Sequence, residues 1–262
     1  MKGLFRYLLA LAALLAFWQI GSVALGEFLL PRPLEVLAYF GESLTTGAFW
    51  QHAGASAWRV ASAMSLAWIV AFPLGLILGH VRAVDNALSP LVFLTYPLPK
   101  IVLLPLFLTL FGLGDLPRVL LIALTTGYQI LVVTRASAQG LDRKYLDSFR
   151  SLGGSPVQTL RHILIPAALP DAMTAEMAKN AFIEHGSDIY ALVVAVLFMA
   201  ESFATRKGLG FLIMDAWGRG DQLEMFTGIL AMSLLGVALY ELCNALEKKC
   251  CRWRSFQMKR KR

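Results

Sequence analysis

The chain has 262 residues, 57% of them hydrophobic and only 16% charged, and a formal net charge of +7. An ordinary soluble domain carries about 25% charged residues, so this composition excludes a soluble globular protein and describes an integral membrane protein. Its basic residues stand at the ends of apolar runs and are not interleaved with aromatics on a polar surface, which excludes nucleic acid as the partner and makes them topology signals.

A helix needs about 20 apolar residues to cross about 30 Å of hydrocarbon. The first such run is Tyr7 to Leu25. Ser22-Val23-Ala24 offers the small residues of a signal-peptide cleavage site, but the apolar core exceeds the about 7 to 15 residues of a signal, so a retained anchor is expected. Val60 to Gly79, without a charge, is the second run, and Leu88 to Gly112 is a third, bent by Pro97 and Pro99 and holding Lys100. Val119 to Thr134, a stretch near Ile189 to Ala200, and Phe226 to Leu242 complete an expected all-α architecture of six spans.

The fifth run would reach only about 18 Å at about 1.5 Å per residue. Some of Glu176, Lys179, Glu184 and Asp188 must then approach membrane depth. On a helical wheel these four share one half of the circumference, and Ala175, Ala178, Phe182 and Ile189 occupy the other. Charge facing lipid is costly, so the polar half is expected to face a pore, a partner copy or the cytoplasmic interface. An interfacial helix ahead of a short tilted span is the alternative.

Positive charge orients the bundle. Lys2, Arg6, Arg82, Arg135, Arg143, Lys144, Arg150, Arg161 and the basic tail from Lys248 to Arg262 fall on one side when both termini are inside. Arg32, Arg59, Arg118, Arg206, Lys207 and Arg219 fall on the other, offset by Glu27, Glu35, Glu42, Asp115, Glu201, Asp215, Asp221 and Glu224. Cytoplasmic termini follow, and the basic tail reads as a stop-transfer segment held at the lipid surface.

Between the fourth and fifth runs lies FRSLGGSPVQTLRHILIPAALP, Phe149 to Pro170. The stretch Leu141 to Leu152 has Tyr145, Leu146, Phe149 and Leu152 at helical spacing with charges between them. Gly153 and Gly154 stop that helix, and Ser155 followed by Pro156 restarts one as N-cap and first-turn residue. Pro166 and Pro170 then turn the chain back towards the membrane. The product is a short helix-turn-helix knob joined to spans on both sides.

Asp147 through Gly153 to Ile163, Pro166 and Pro170 resembles the cytoplasmic loop signature of permease subunits in ATP-binding-cassette importers. The exit IPAALP is similar to the subfamily that imports nitrate, aliphatic sulfonates, taurine and related small compounds. LPRPLEVL (Leu30 to Leu37), YPLPKIVLLPLFLTLFGLGD (Tyr96 to Asp115) and KGLGFLIMDAW (Lys207 to Trp217) extend the resemblance over nearly the whole chain. The family's Glu-Ala-Ala is here Asp147-Ser148-Phe149, and Phe149 is expected to reach further into a partner than alanine would. The segment 175–190 is longer and more charged than the family's approach to its fifth span.

The resemblance implies one permease domain over residues 1–262, with a coupling loop at about 136–170 and a cytoplasmic tail at about 247–262. It implies a bacterial inner-membrane protein working as a homodimer, with two ATPase subunits beneath and a soluble substrate-binding protein outside. Asp147, Ser148, Phe149, Leu152, Gly153, Gly154 and Pro166 would couple to the ATPase. Pro97, Lys100, Glu201, Gly208, Leu209 and Gly210 are candidates for the translocation path or gate. For Lys100 the alternatives are function inside a span and a side chain that snorkels or caps the break at Pro97 and Pro99; for Thr205 to Gly210 they are a gate and a plain external hairpin.

No GxxxxGK[ST] phosphate loop or glycine-rich dinucleotide turn is present, so ATP must be hydrolysed by another polypeptide. His52, His80, His162 and His185 sit in separate segments without metal-ligand spacing. Cys243, Cys250 and Cys251 read as structural or incidental. The expectation is a transport protein that is not an enzyme, with no cofactor and no metal. A self-contained channel or secondary transporter, using charged residues of the third and fifth spans as an ion path, is the competing class; the two halves show no repeat of the kind such transporters carry.

Overall fold

A hydrophobic run can be satisfied in a bilayer only if its backbone polar groups pair within the segment, and among the described residues all regular structure is helical. The computed structural model describes residues 2–174 and 188–251. Its helices are α1 (Lys2–Leu25), α2 (Pro33–Ser43), α3 (Gly47–His80), α4 (Arg82–Thr95), α5 (Leu104–Phe111), α6 (Asp115–Gln139), α7 (Arg143–Ser151), α8 (Pro156–Thr159), α9 (Ile165–Thr174), α10 (Asp188–Glu201), α11 (Leu209–Arg219) and α12 (Gln222–Cys250). Four of them, α1, α3, α6 and α12, are long and apolar enough to cross a membrane, and α4 with the segment Lys100–Phe111 makes a fifth where that bent pair is counted as one broken span rather than a re-entrant loop. The expected fifth run survives as α10, a 14-residue helix. The charged segment ahead of it, residues 175–187, lies outside the described residues, and so does the expectation about its two faces.

The chain divides into two compact units, Met1–Trp58 with Glu201–Leu235, and Arg59–Ala200 with Gly236–Arg262. In the first, α1 is fastened by Trp18, whose indole N–H donates to the Pro31 carbonyl at 3.1 Å while its ring meets Phe226 at 5.8 Å. Pro33 opens α2, where a missing N–H costs nothing. Burial pushes the Tyr39 phenol of α2 up, and the carboxylates of Glu224 and Asp221 push it further. Asp221 caps α12, accepting from the Glu224 N–H at 3.0 Å. Neither α2 nor α11 is marked by an apolar run of spanning length, so both are absent from the sequence expectation.

In the second unit α6 is the most enclosed span, with 67% of its apolar window buried against 33% for α3. Gly75 and Gly79 of α3 let α6 approach, in the small-xxx-small manner of membrane helices. A Cβ on Gly75 would lie 2.7 Å from Thr134 Cβ, and one on Gly79 would lie 2.5 Å from Ala138 Cβ. The third run is more than bent: α4 and the segment after it meet at 86°. Pro97 and Pro99 have no N–H to donate, so the helical ladder cannot pass through them. After α8 the backbone passes through a π-helical turn, Leu160–Leu164, before α9. Pro166 cannot donate to the carbonyl four residues earlier, and beside it the Ile165 N–H reaches back five residues to the Leu160 carbonyl.

Candidate functional site

The knob belongs to the second unit and is built from local signals. Asp142 caps α7, its carboxylate accepting from the Lys144 N–H at 3.0 Å. Gly153 ends the helix at φ +85°, which favours glycine. Ser155 and Gln158 form a reciprocal capping box that starts α8. Leu141 and Leu146 pack on a buried cluster of Leu76, Ala138, Leu164 and Ala168, so α7 is fixed to the spans beside it. Asp147 and Ser148 are exposed, Pro166 is half-buried at the start of α9, and Leu152 and Val157 are 87% and 72% exposed. With Tyr145 at 65% and Leu160 at 40% exposed, Leu152 and Val157 form an apolar surface suited to a partner.

Phe149 is half-buried. Its ring lies on Gly154, where a Cβ would come within 2.3 Å of it, and stands 6.4 Å from the His162 ring. Where the family signature has alanine, this chain has a brace inside its own knob.

The break in the third span is polar and closed on itself. The Lys100 ammonium donates to the Thr95 carbonyl at 3.2 Å and to the Tyr96 carbonyl, adding to the 3.3 Å bond that Thr95 accepts from the Leu98 N–H and capping the C-terminal end of α4. It lies 4.3 Å from the centre of the Tyr128 ring and 5.2 Å from that of Tyr96. The Tyr128 hydroxyl and Thr95 Oγ1 share a hydrogen bond of 2.7 Å, and the Tyr96 hydroxyl donates to Gln129 Oε1 at 3.3 Å. Pro97 is exposed beside this group.

Glu201, Gly208, Leu209 and Gly210 converge in the first unit. The Glu201 carboxylate is fully buried. Ser56 Oγ stands 2.7 and 2.9 Å from its two oxygens and donates to it, and the Gly210 N–H donates to Oε2 at 2.9 Å. The Leu209 N–H donates to Ser56 Oγ at 2.8 Å. The carboxylate therefore sits on the N-terminal amides of α11, where the helix dipole favours negative charge. Gly208 has φ +125°, its N–H is 3.3 Å from His52 Nδ1, and the His52 ring stacks on Phe211 at 5.8 Å. Leu209 is buried.

Several charges read from sequence as topology signals are held by partners within the fold. Arg59, 3% exposed, meets Asp115 at 2.7 Å. Arg118, fully buried, donates to the carbonyls of Leu113, Gly114 and Ala200 at 2.9, 2.5 and 3.1 Å. Arg135 meets Asp85 at 2.6 Å, and Ser89 and Gln139 also donate to that carboxylate. Asp85 and Arg135 carried a usable signal, as charges bordering apolar helices; Ser56 and Tyr128 carried none.

Apolar helices of spanning length, a sharply bent helix pair and a capped helix-turn-helix knob tied to the helices beside it are the form of a membrane transport subunit. The chain belongs to the family of binding-protein-dependent transport system inner membrane components, whose profile matches residues 71–250. Membership makes it a multi-pass permease of the inner membrane, the component of an importer that works with an ATPase and a substrate-binding protein; the family is one of transport permeases, not enzymes. It is 27% identical over 255 residues to the putative aliphatic sulfonates transport permease SsuC of Bacillus subtilis, covering 97% of this chain and 89% of the relative. It is 31% identical over 245 residues to the riboflavin transport permease RibX of Chloroflexus aurantiacus, covering 93% and 88%. The taurine transport permease TauC of Escherichia coli is 27% identical over 254 residues, covering 93% and 87%. The inward-facing MetNI methionine ABC transporter shares the fold, with a TM-score of 0.61 at 15% identity over 75% of this chain and 93% of that one.

Proposed function

We propose that residues 1–262 form one permease domain that acts as a homodimer over two ATPase subunits, with both termini cytoplasmic and a soluble binding protein delivering solute from outside. The carrying observation is the knob: capped helices anchored through Leu141 and Leu146, with Leu152 and Val157 left exposed. A rigid element fixed to two spans passes motion on with little loss. ATP binding closes the ATPase pair, moves the knobs and opens the path outward; hydrolysis resets it.

Asp147, Ser148, Leu152 and Gly153 form the contact with the ATPase, with Phe149, Gly154 and Pro166 holding the knob's shape. Candidates for the path or gate are, in the second unit, Pro97 and Lys100 at the break and, in the first, Glu201 at the end of α10 with Gly208, Leu209 and Gly210 where α11 begins. The relatives named for aliphatic sulfonates, taurine and riboflavin support a small organic solute as cargo, with selectivity residing largely in the binding protein.

Copurification of the ATPase with the tagged permease tests the reading. Asp147→Lys should strip the ATPase away, and Gly153→Val should retain it but uncouple ATP hydrolysis from uptake in vesicles. A permease that purifies without an ATPase and still moves solute would overturn the proposal.

A further inference from the structure

The geometry points to Lys100 and Tyr128 as a paired positioning device that sets the angle of the broken span. The break creates a local deficit. Pro97 and Pro99 remove two backbone donors just past the end of α4, where the Thr95 carbonyl accepts from the Leu98 N–H at a long 3.3 Å. Within a membrane no water is at hand to fill that deficit. The Lys100 ammonium fills it from the far side of the break, donating back to Thr95 and Tyr96. The chain after the break is thereby tied to the helix before it, and a turn of 86° results.

A lysine alone would hold this turn loosely, because its stem is flexible. The Tyr128 ring supplies a seat, with the ammonium 4.3 Å from the ring centre, within cation–π range. The same tyrosine holds Thr95 through its hydroxyl at 2.7 Å, so one residue of α6 contacts both sides of the break. Gln129, the next residue, accepts from the Tyr96 hydroxyl at 3.3 Å. Two consecutive residues of α6 thus fix two consecutive residues at the end of α4. With two of its donors on carbonyls and its charge on a ring, Lys100 is occupied in holding the backbone, and its part in transport is exerted through the break.

The test uses the permease–ATPase complex in nanodiscs, with Cys243, Cys250 and Cys251 replaced by serine and spin labels at Leu91→Cys and Leu110→Cys, which flank the break and are exposed. With labelled protomer diluted in unlabelled protomer, so that a complex carries labels on at most one copy, the unperturbed protein should give one narrow distance distribution. Lys100→Met and Tyr128→Leu should each shift and widen it, and the double variant should do no more than either alone, as expected for two members of one interaction. Lys100→Arg, which keeps the cation, should stay close to the parent, and Tyr128→Phe, which keeps the ring face but loses the hydroxyl bond to Thr95, should fall between the parent and Tyr128→Leu. Hydrolysis of MgATP by the same complexes should change several-fold in Lys100→Met and Tyr128→Leu and less in the conservative pair.

An unchanged distribution in Lys100→Met overturns the proposal, and so does widening in Lys100→Met that Tyr128→Leu fails to reproduce. If Lys100→Met does not assemble, the Tyr128 pair decides: more widening with Leu than with Phe supports the seat, and equal behaviour of the two refutes it. Only the MgATP readout rests on the importer reading. A complex without an ATPase would sink that reading and leave the distance result standing.

Discussion

Gly208→Ala isolates the junction that opens α11. Two penalties meet there. At φ +125° and ψ 158° a residue with a side chain is strained by about 1 to 3 kcal/mol. The added Cβ would also lie 2.4 Å from the Glu201 carboxylate carbon and 2.5 and 2.6 Å from its oxygens. That carboxylate is buried and bonded to Ser56 and to the Gly210 amide, so moving it forfeits at least one charge-assisted hydrogen bond of about 1.5 to 3 kcal/mol. A combined cost of about 4 kcal/mol is a large share of the about 5 to 15 kcal/mol that holds a domain together. It should fall on the loop first, because local opening needs less than global unfolding. At tenfold per about 1.4 kcal/mol, the open population of the junction rises by about a thousandfold.

Hydrogen exchange reads this directly. The Leu209 and Gly210 amides, which donate to Ser56 and Glu201, should lose protection by about that factor, and trypsin should cut at Arg206 or Lys207. Gly218→Ala is the control, since a Cβ there meets nothing within 4 Å. Parental exchange at Leu209 and Gly210 in Gly208→Ala would refute the reasoning.

Three further outcomes are expected. Gly154→Ala drives a methyl into the Phe149 ring and to 2.8 Å from its carbonyl, so binding of the ATPase should weaken; Phe149→Ala in the same chain should restore it in part, since the carbonyl clash remains. Gly79→Leu overpacks α3 against Ala138 and the Arg135 carbonyl, costing about 1 to 3 kcal/mol or more, readable as a lower melting temperature of the purified protein. Asp85→Asn leaves Arg135 half of its pair, both side chains being 15% exposed, and should destabilise by up to about 3 to 5 kcal/mol; the exchanged pair Asp85→Arg with Arg135→Asp should recover stability, and no recovery would show that Ser89 and Gln139 dominate the site.

What could be read from the sequence rests on short-range physics. Apolar length locates α1, α3, α6 and α12 because hydrocarbon thickness is fixed. Pro97 and Pro99 announce the break because neither can donate a backbone hydrogen bond, and Gly153, Ser155 and Pro156 announce the knob because helix ends need a positive φ or a capping oxygen. Each of these acts within a few residues of itself. The pairings of the candidate sites do not. Ser56 and Glu201 are 145 residues apart, Arg118 and Ala200 82, Asp85 and Arg135 50, and Thr95 and Tyr128 33. A charge or a serine looks the same in a sequence whether water or a distant partner satisfies it. Phe149 shows the same limit at short range: helical periodicity gave it a face, but only the open space over Gly154 turned its ring inward. Tertiary packing made these choices, because burial removes the water that would otherwise leave every polar group indifferent to its neighbours.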